Sequence, residues 1–154
     1  MKEAATIVRA EDVYAVYFHG PAYQVVGSAW RYDGGSVAVL ARDLPPNHGQ
    51  TDRPTVTGPR LVELCFQTAG LWQIGREGRL ALPHHVDRVT IVRDPRAVSG
   101  ELYALAHPHD GAFDCVVVDE GGGVVVRVEG YRTVPLPNPV GDALRTPIAA
   151  AMAD

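Results

Sequence analysis

Residues 59–74 read Pro59-Arg60-Leu61-Val62-Glu63-Leu64-Cys65-Phe66-Gln67-Thr68-Ala69-Gly70-Leu71-Trp72-Gln73-Ile74. Pro59 suits the first position of a helix, with Gly58 or Thr57 as its cap. Gly75 is the expected stop. At 3.6 residues per turn, Leu61, Val62, Leu64, Cys65, Phe66, Ala69, Leu71, Trp72 and Ile74 fall on nearly every face. A helix that is apolar all round has to be enclosed by the rest of the chain.

Working outward, most other segments look extended. Residues 11–18 (EDVYAVYF) fit either a short helix or a short strand, and His19-Gly20-Pro21 breaks them. Residues 25–32 and 36–41 flank Asp33-Gly34-Gly35, which predicts a hairpin. Residues 43–57 form a long loop rich in Pro, Asn, Asp and Gly, and loops of that length often cover a site. Strand-like runs follow the helix over 86–92, 100–106, 112–118 and 124–133, with the last two joined through residues 119–123. The expectation is an α+β fold of the hotdog type: an antiparallel sheet of about six strands in hairpin order, wrapped around the helix over 59–74. One domain is expected over residues 1–137. Residues 138–154 read as a linker-like tail ending in a frayed, Ala-rich stretch.

A length of 154 residues fits one core. Apolar residues at 46% and charged residues at 21% are ordinary for a soluble domain, and no apolar run is long enough to span a membrane. The 16 glycines and 12 prolines point to many turns. Basic residues are scattered and the net charge is −4, which argues against a nucleic-acid partner. Cys65 and Cys115 sit in apolar runs and read as buried, reduced thiols. With no secretory signal pattern at the N-terminus, a cytoplasmic location is expected. No metal-ligand spacing is visible, and no metal is expected.

Two polar residues interrupt the apolar helix. Glu63 and Gln67 are four apart and share a face. A carboxylate on an enclosed helix is costly unless it is paired, protonated or functional. Glu63 therefore reads either as a structural residue, paired with Arg60 or emerging on a rim, or as a general acid/base with Gln67 orienting it or its substrate.

The segment Tyr17-Phe18-His19-Gly20-Pro21-Ala22-Tyr23-Gln24 resembles the HGPAFQ-type opening of the C-terminal hotdog half of polyketide synthase dehydratase domains. The hairpin VVGSAWRYDGGSVAVLA is similar to the two strands that follow it there. The helix PRLVELCFQ resembles the HPxxxDxxxQ helix of that half, and the resemblance covers about residues 12–137. Glu63 stands at the acidic position where these domains have Asp. Small bacterial 3-hydroxyacyl-carrier-protein dehydratases are similar in their ExxxQxxG helix, which Glu63, Gln67 and Gly70 match. The His that begins the family's helix motif is absent, because Thr57-Gly58-Pro59 occupies that stretch.

The resemblance implies loss of water, syn or anti, from a 3-hydroxyacyl thioester on the phosphopantetheine arm of an acyl carrier protein, with no other cofactor. Glu63 is then the catalytic acid. Gln67, His19, Tyr23 and Gly58 become candidate substrate-binding residues, Gly58 at a helix N-terminus suited to a developing negative charge. The family's catalytic His lies in an HxxxGxxxxP motif of the other hotdog half, and the 154 residues contain no such motif. A partner half or a second copy is therefore expected to complete the site. His48, 15 residues before Glu63 on the long loop, is the candidate base for a self-sufficient homodimer. A non-catalytic hotdog that shapes a synthase or binds an acyl chain is the remaining alternative.

Overall fold

The computed structural model describes residues 6–46 and 58–154. Among these, Val8–Arg9 (β1) runs into Ala10–Val16 (α1), a 3-10 turn over Pro21–Tyr23, Val26–Tyr32 (β2) and Gly35–Leu40 (β3). The long helix is Pro59–Glu77 (α2). Arg79–His85 (β4), Arg88–Ile91 (β5), a 3-10 turn over Pro95–Ala97, Leu102–His109 (β6), Ala112–Asp119 (β7), Val124–Pro139 (β8) and Asp142–Met152 (α3) complete the order. The strands form one antiparallel sheet in the order β1-β2-β3-β6-β7-β8-β4, and β5 also pairs with β8. The sheet curls around α2, giving the α+β hotdog expected, with eight strands in place of about six.

The turns explain the register. Asp33 and Gly34 both take positive φ, 46° and 75°, as a two-residue type I′ turn requires. Gly35 thus belongs to β3 and pairs with Tyr32. Asp110 and Gly111 repeat the device between β6 and β7, with φ of 45° and 75°. After β7 the Asp119 carboxylate accepts from the backbone N–H groups of Gly121 and Gly123 and closes the loop into β8.

The helix runs past the expected stop. Gly75 lies inside α2, and the end is at Gly78, whose φ of +74° and N–H bond to the Ile74 carbonyl close the last turn. Gly75 has a packing role: a Cβ there would fall 2.5 Å from the Met152 Cβ. That contact corrects the reading of the C-terminus. The stretch expected to be a frayed tail is α3, with Ile148, Ala151 and Met152 buried against α2. Arg145 on α3 donates to the carbonyls of Ile74 and Gly75 near the end of α2.

Residues 138 and 139, expected to open the linker-like tail, are likewise the end of β8, where Pro139 pairs with Arg79 of β4. Of the expected strand over 86–92, β5 is the core. β4 carries Pro83, a residue that weakens any strand reading of the sequence. Cys65 and Cys115 are buried free thiols facing one another between α2 and β7. Their hydrogen bond and burial push the Cys115 thiol well above its ordinary value.

Replacing Ile148 by Ala should cost about 2–4 kcal/mol, because a fully buried side chain leaves a cavity between α3 and α2. Urea unfolding measures it, and an unchanged midpoint would show that α3 is not part of the cooperative core.

Candidate functional site

The segment between α1 and β2 folds back over α2. Its 3-10 turn is closed by the Tyr23 N–H donating to the Gly20 carbonyl at 2.9 Å. Gln24 donates its side-chain amide to the His19 carbonyl at 3.1 Å. This compact turn lays two groups on α2. His19 Nε2 lies 2.9 Å from Glu63 Oε1. The Tyr23 carbonyl accepts from Gln67 Nε2 at 2.9 Å. Phe18 is 73% exposed and stacks on the His19 ring, with centroids 5.4 Å apart and 6° between planes. Tyr17 meets the same ring edge-on at 5.3 Å.

Gln67 is 2% exposed and fully engaged. Its Nε2 also donates to Glu63 Oε1 at 3.0 Å. Its Oε1 accepts from the Tyr14 hydroxyl at 2.7 Å. That hydroxyl in turn accepts from the Val26 N–H at 2.7 Å. Tyr17 donates to the Gln67 backbone carbonyl at 2.9 Å. Burial pushes the phenols of Tyr14, Tyr17 and Tyr131 well above the ordinary tyrosine range, so they remain O–H donors at neutral pH.

The Glu63 side chain retains 23% exposure and His19 21%, so both reach a cleft. Phe66, Gly70, Leu80, Leu82 and Tyr131 line it with apolar surface. Phe66 and Tyr131 stack at 4.3 Å and 16° to form one wall. A carboxylate, an imidazole and an amide thus meet at the mouth of an apolar slot. The arrangement can move a proton to or from a group on an otherwise apolar molecule.

The structure brings together four of the sequence candidates: Glu63, Gln67, His19 and the Tyr23 backbone. Gly58 is elsewhere. It caps α2 with φ of +56° and lies against Pro95, beside a different hollow, because Glu63 is more than a turn further along the helix. His48 falls outside the described residues. Arg60 is not the partner of Glu63, since its guanidinium binds the carbonyls of Ala22 and Pro45. Among the other histidines, His85 pairs with Asp87 and His109 with Asp114, both on the exposed surface. Tyr14, Tyr17 and Tyr131 were not singled out by the sequence. Tyr14 and Tyr17 stand three apart at the end of α1, which would place them on one helix face, but nothing local indicates that this face meets Gln67.

The family model described as the polyketide synthase dehydratase N-terminal domain matches residues 5–143. Among solved structures, an inactive mutant of the CurK dehydratase is similar at 18% identity and a TM-score of 0.68, over 86% of this chain and 50% of that one. A trans-AT polyketide synthase dehydratase domain from Brevibacillus brevis is similar at 20% identity and a TM-score of 0.68, over 84% and 48%. The dehydratase domain from the CurF module of the curacin polyketide synthase is similar at 19% identity and a TM-score of 0.65, over 84% and 48%. The likeness is one of fold, and the chain spans about half the length of these structures.

A Cβ at position 70 would lie 2.3 Å from the Tyr17 hydroxyl. Gly70→Ala should therefore displace Tyr17, break its bond to the Gln67 carbonyl and lower stability by about 1–3 kcal/mol. Thermal unfolding beside Tyr17→Phe checks this; if Gly70→Ala is no less stable than wild type, the close approach is not real.

Proposed function

The chain belongs to the polyketide synthase dehydratase family, and from that premise we propose that it is the acid-bearing half of a dehydratase acting on 3-hydroxyacyl thioesters held by an acyl carrier protein. The observation that carries the reading is the Glu63 carboxylate at the rim of an apolar slot, held by His19 and Gln67. The matching family model is described as an N-terminal domain. The proposal follows the residues instead: the Glu63–Gln67 helix and the His19–Gln24 turn resemble the half that carries the acid.

In this reading the acyl chain lies along Phe66, Leu80 and Leu82, with its β-hydroxyl at Glu63. A base removes the α-proton next to the thioester carbonyl. The electron pair of that C–H bond forms the C=C bond as the β C–O bond breaks. The Glu63 proton goes to the departing hydroxyl, which leaves as water. The base then holds the α-proton, and both return to their starting states by exchange with solvent.

His19 does not suit the role of base. Acid and base have to flank the reacting Cα–Cβ unit, whereas His19 touches Glu63 directly at 2.9 Å and leaves no room between them. None of His84, His85, His107 and His109 lines the cleft. Among the described histidines none is placed to be the base, and the reading takes it from an HxxxGxxxxP half, in the same parent polypeptide or in a partner chain. His19 becomes a binding and positioning residue at the cleft mouth.

Glu63→Gln, in an assembly that includes the base-bearing half, should lower turnover by about 100- to 10,000-fold while leaving the melting temperature near wild type. Unchanged turnover of a 3-hydroxyacyl pantetheine thioester would refute the role of Glu63. His19→Ala should cost turnover far less, about tenfold, since it removes one of two hydrogen bonds to the acid. A loss as deep as that of Glu63→Gln would make His19 the base. If the isolated chain dehydrates the thioester and His48→Ala does not, a self-sufficient homodimer replaces the paired-half reading.

A further inference from the structure

Gln67 is held at both ends by the main chain. The Val26 N–H can only donate, and it donates to the Tyr14 oxygen. The Tyr14 proton is then free for Gln67 Oε1. At the other end the Tyr23 carbonyl can only accept, and it takes one proton of Gln67 Nε2. The amide is therefore oriented without ambiguity, and its second proton points at Glu63 Oε1. The same oxygen faces His19 Nε2.

The tautomer of His19 follows from its other nitrogen. Nδ1 is buried and has no hydrogen-bond partner among the described residues. An orphaned buried N–H is rarer and costlier than an orphaned acceptor. Nδ1 is thus the bare nitrogen, and Nε2 carries the proton that faces Glu63. Oε1 receives two N–H groups and is an acceptor only, so Oε2 is the oxygen left for proton exchange.

Resting on the dehydratase reading above, we propose that Tyr14 is a positioning residue for the acid: through Gln67 it holds Oε1 of Glu63 as an acceptor, so that Oε2 delivers the proton to the substrate. Tyr14 does not line the cleft. Its hydrogen bond toward the site is the one to Gln67 Oε1.

Two measurements on Tyr14→Phe test this. The first needs no activity. In 15N NMR of the chain, the Gln67 side-chain amide protons should exchange with solvent at least about tenfold faster in Tyr14→Phe than in wild type, because one of the three bonds holding the amide is lost. Unchanged exchange overturns the proposal, whatever the enzyme does. The second uses the complete dehydratase. Tyr14→Phe should lower kcat about five- to tenfold with KM within about twofold. The same substitution in a Gln67→Met background should have no further effect on kcat. Losses that multiply in the double variant would give Tyr14 a general structural role and overturn the proposal. A complete assembly with no dehydration would instead refute the functional reading, and the amide exchange would still decide the role of Tyr14.

Discussion

A primary amide enclosed in an apolar helix has to find partners for its oxygen and for both its protons. Gln67 is that group, and much of the arrangement around α2 answers to it. The requirement draws Tyr14 from α1, the Tyr23 carbonyl from the following turn and Glu63 from one helical turn earlier. The three partners come from separate elements, so the amide ties the entry segment to the central helix. Without it, α1 and the His19–Gln24 turn would be tied to α2 by Tyr17 on the Gln67 backbone carbonyl, Arg60 on the Ala22 carbonyl and His19 on Glu63.

The same network makes the site asymmetric. Apolar walls on the Phe66–Tyr131 side bind without orienting. Directional bonds lie on the side of α1 and its turn. A carboxylate at the border between these two surroundings keeps one face toward fixed donors and one toward the slot. In the proposed function, that division suits a group that passes a proton to an otherwise apolar acyl chain.

Near the C-terminus the governing constraint is close packing. The last turns of α2 bury Ile74 and Gly75. α3 covers them, and Gly75 permits the approach that Met152 and Ile148 complete. Arg145 then adds donors to the Ile74 and Gly75 carbonyls near the end of α2.

Local chemistry made much of this legible in residues 59–154. An apolar sequence on every face of α2 implies enclosure wherever the helix sits. Asp-Gly turns imply hairpins through their positive φ, and Glu63 and Gln67 share a face through helical geometry alone. The sequence by itself therefore determined the wrapped helix, the hairpins β2-β3 and β7-β8 and the presence of an acid on the buried element, but not that β4 and β5 both pair with β8. What only the tertiary structure decided is which groups come together. Gly75 read as a stop because nothing local shows that another helix needs its missing side chain. Residues 143–152 read as a tail because Pro147 in mid-stretch argues against a helix, and the surface that Ile148, Ala151 and Met152 pack on exists only once α2 is in place. Tyr14 and His19 reached Gln67 and Glu63 across about fifty residues of chain. Such pairings depend on how the segments pack, and no local pattern encodes that distance.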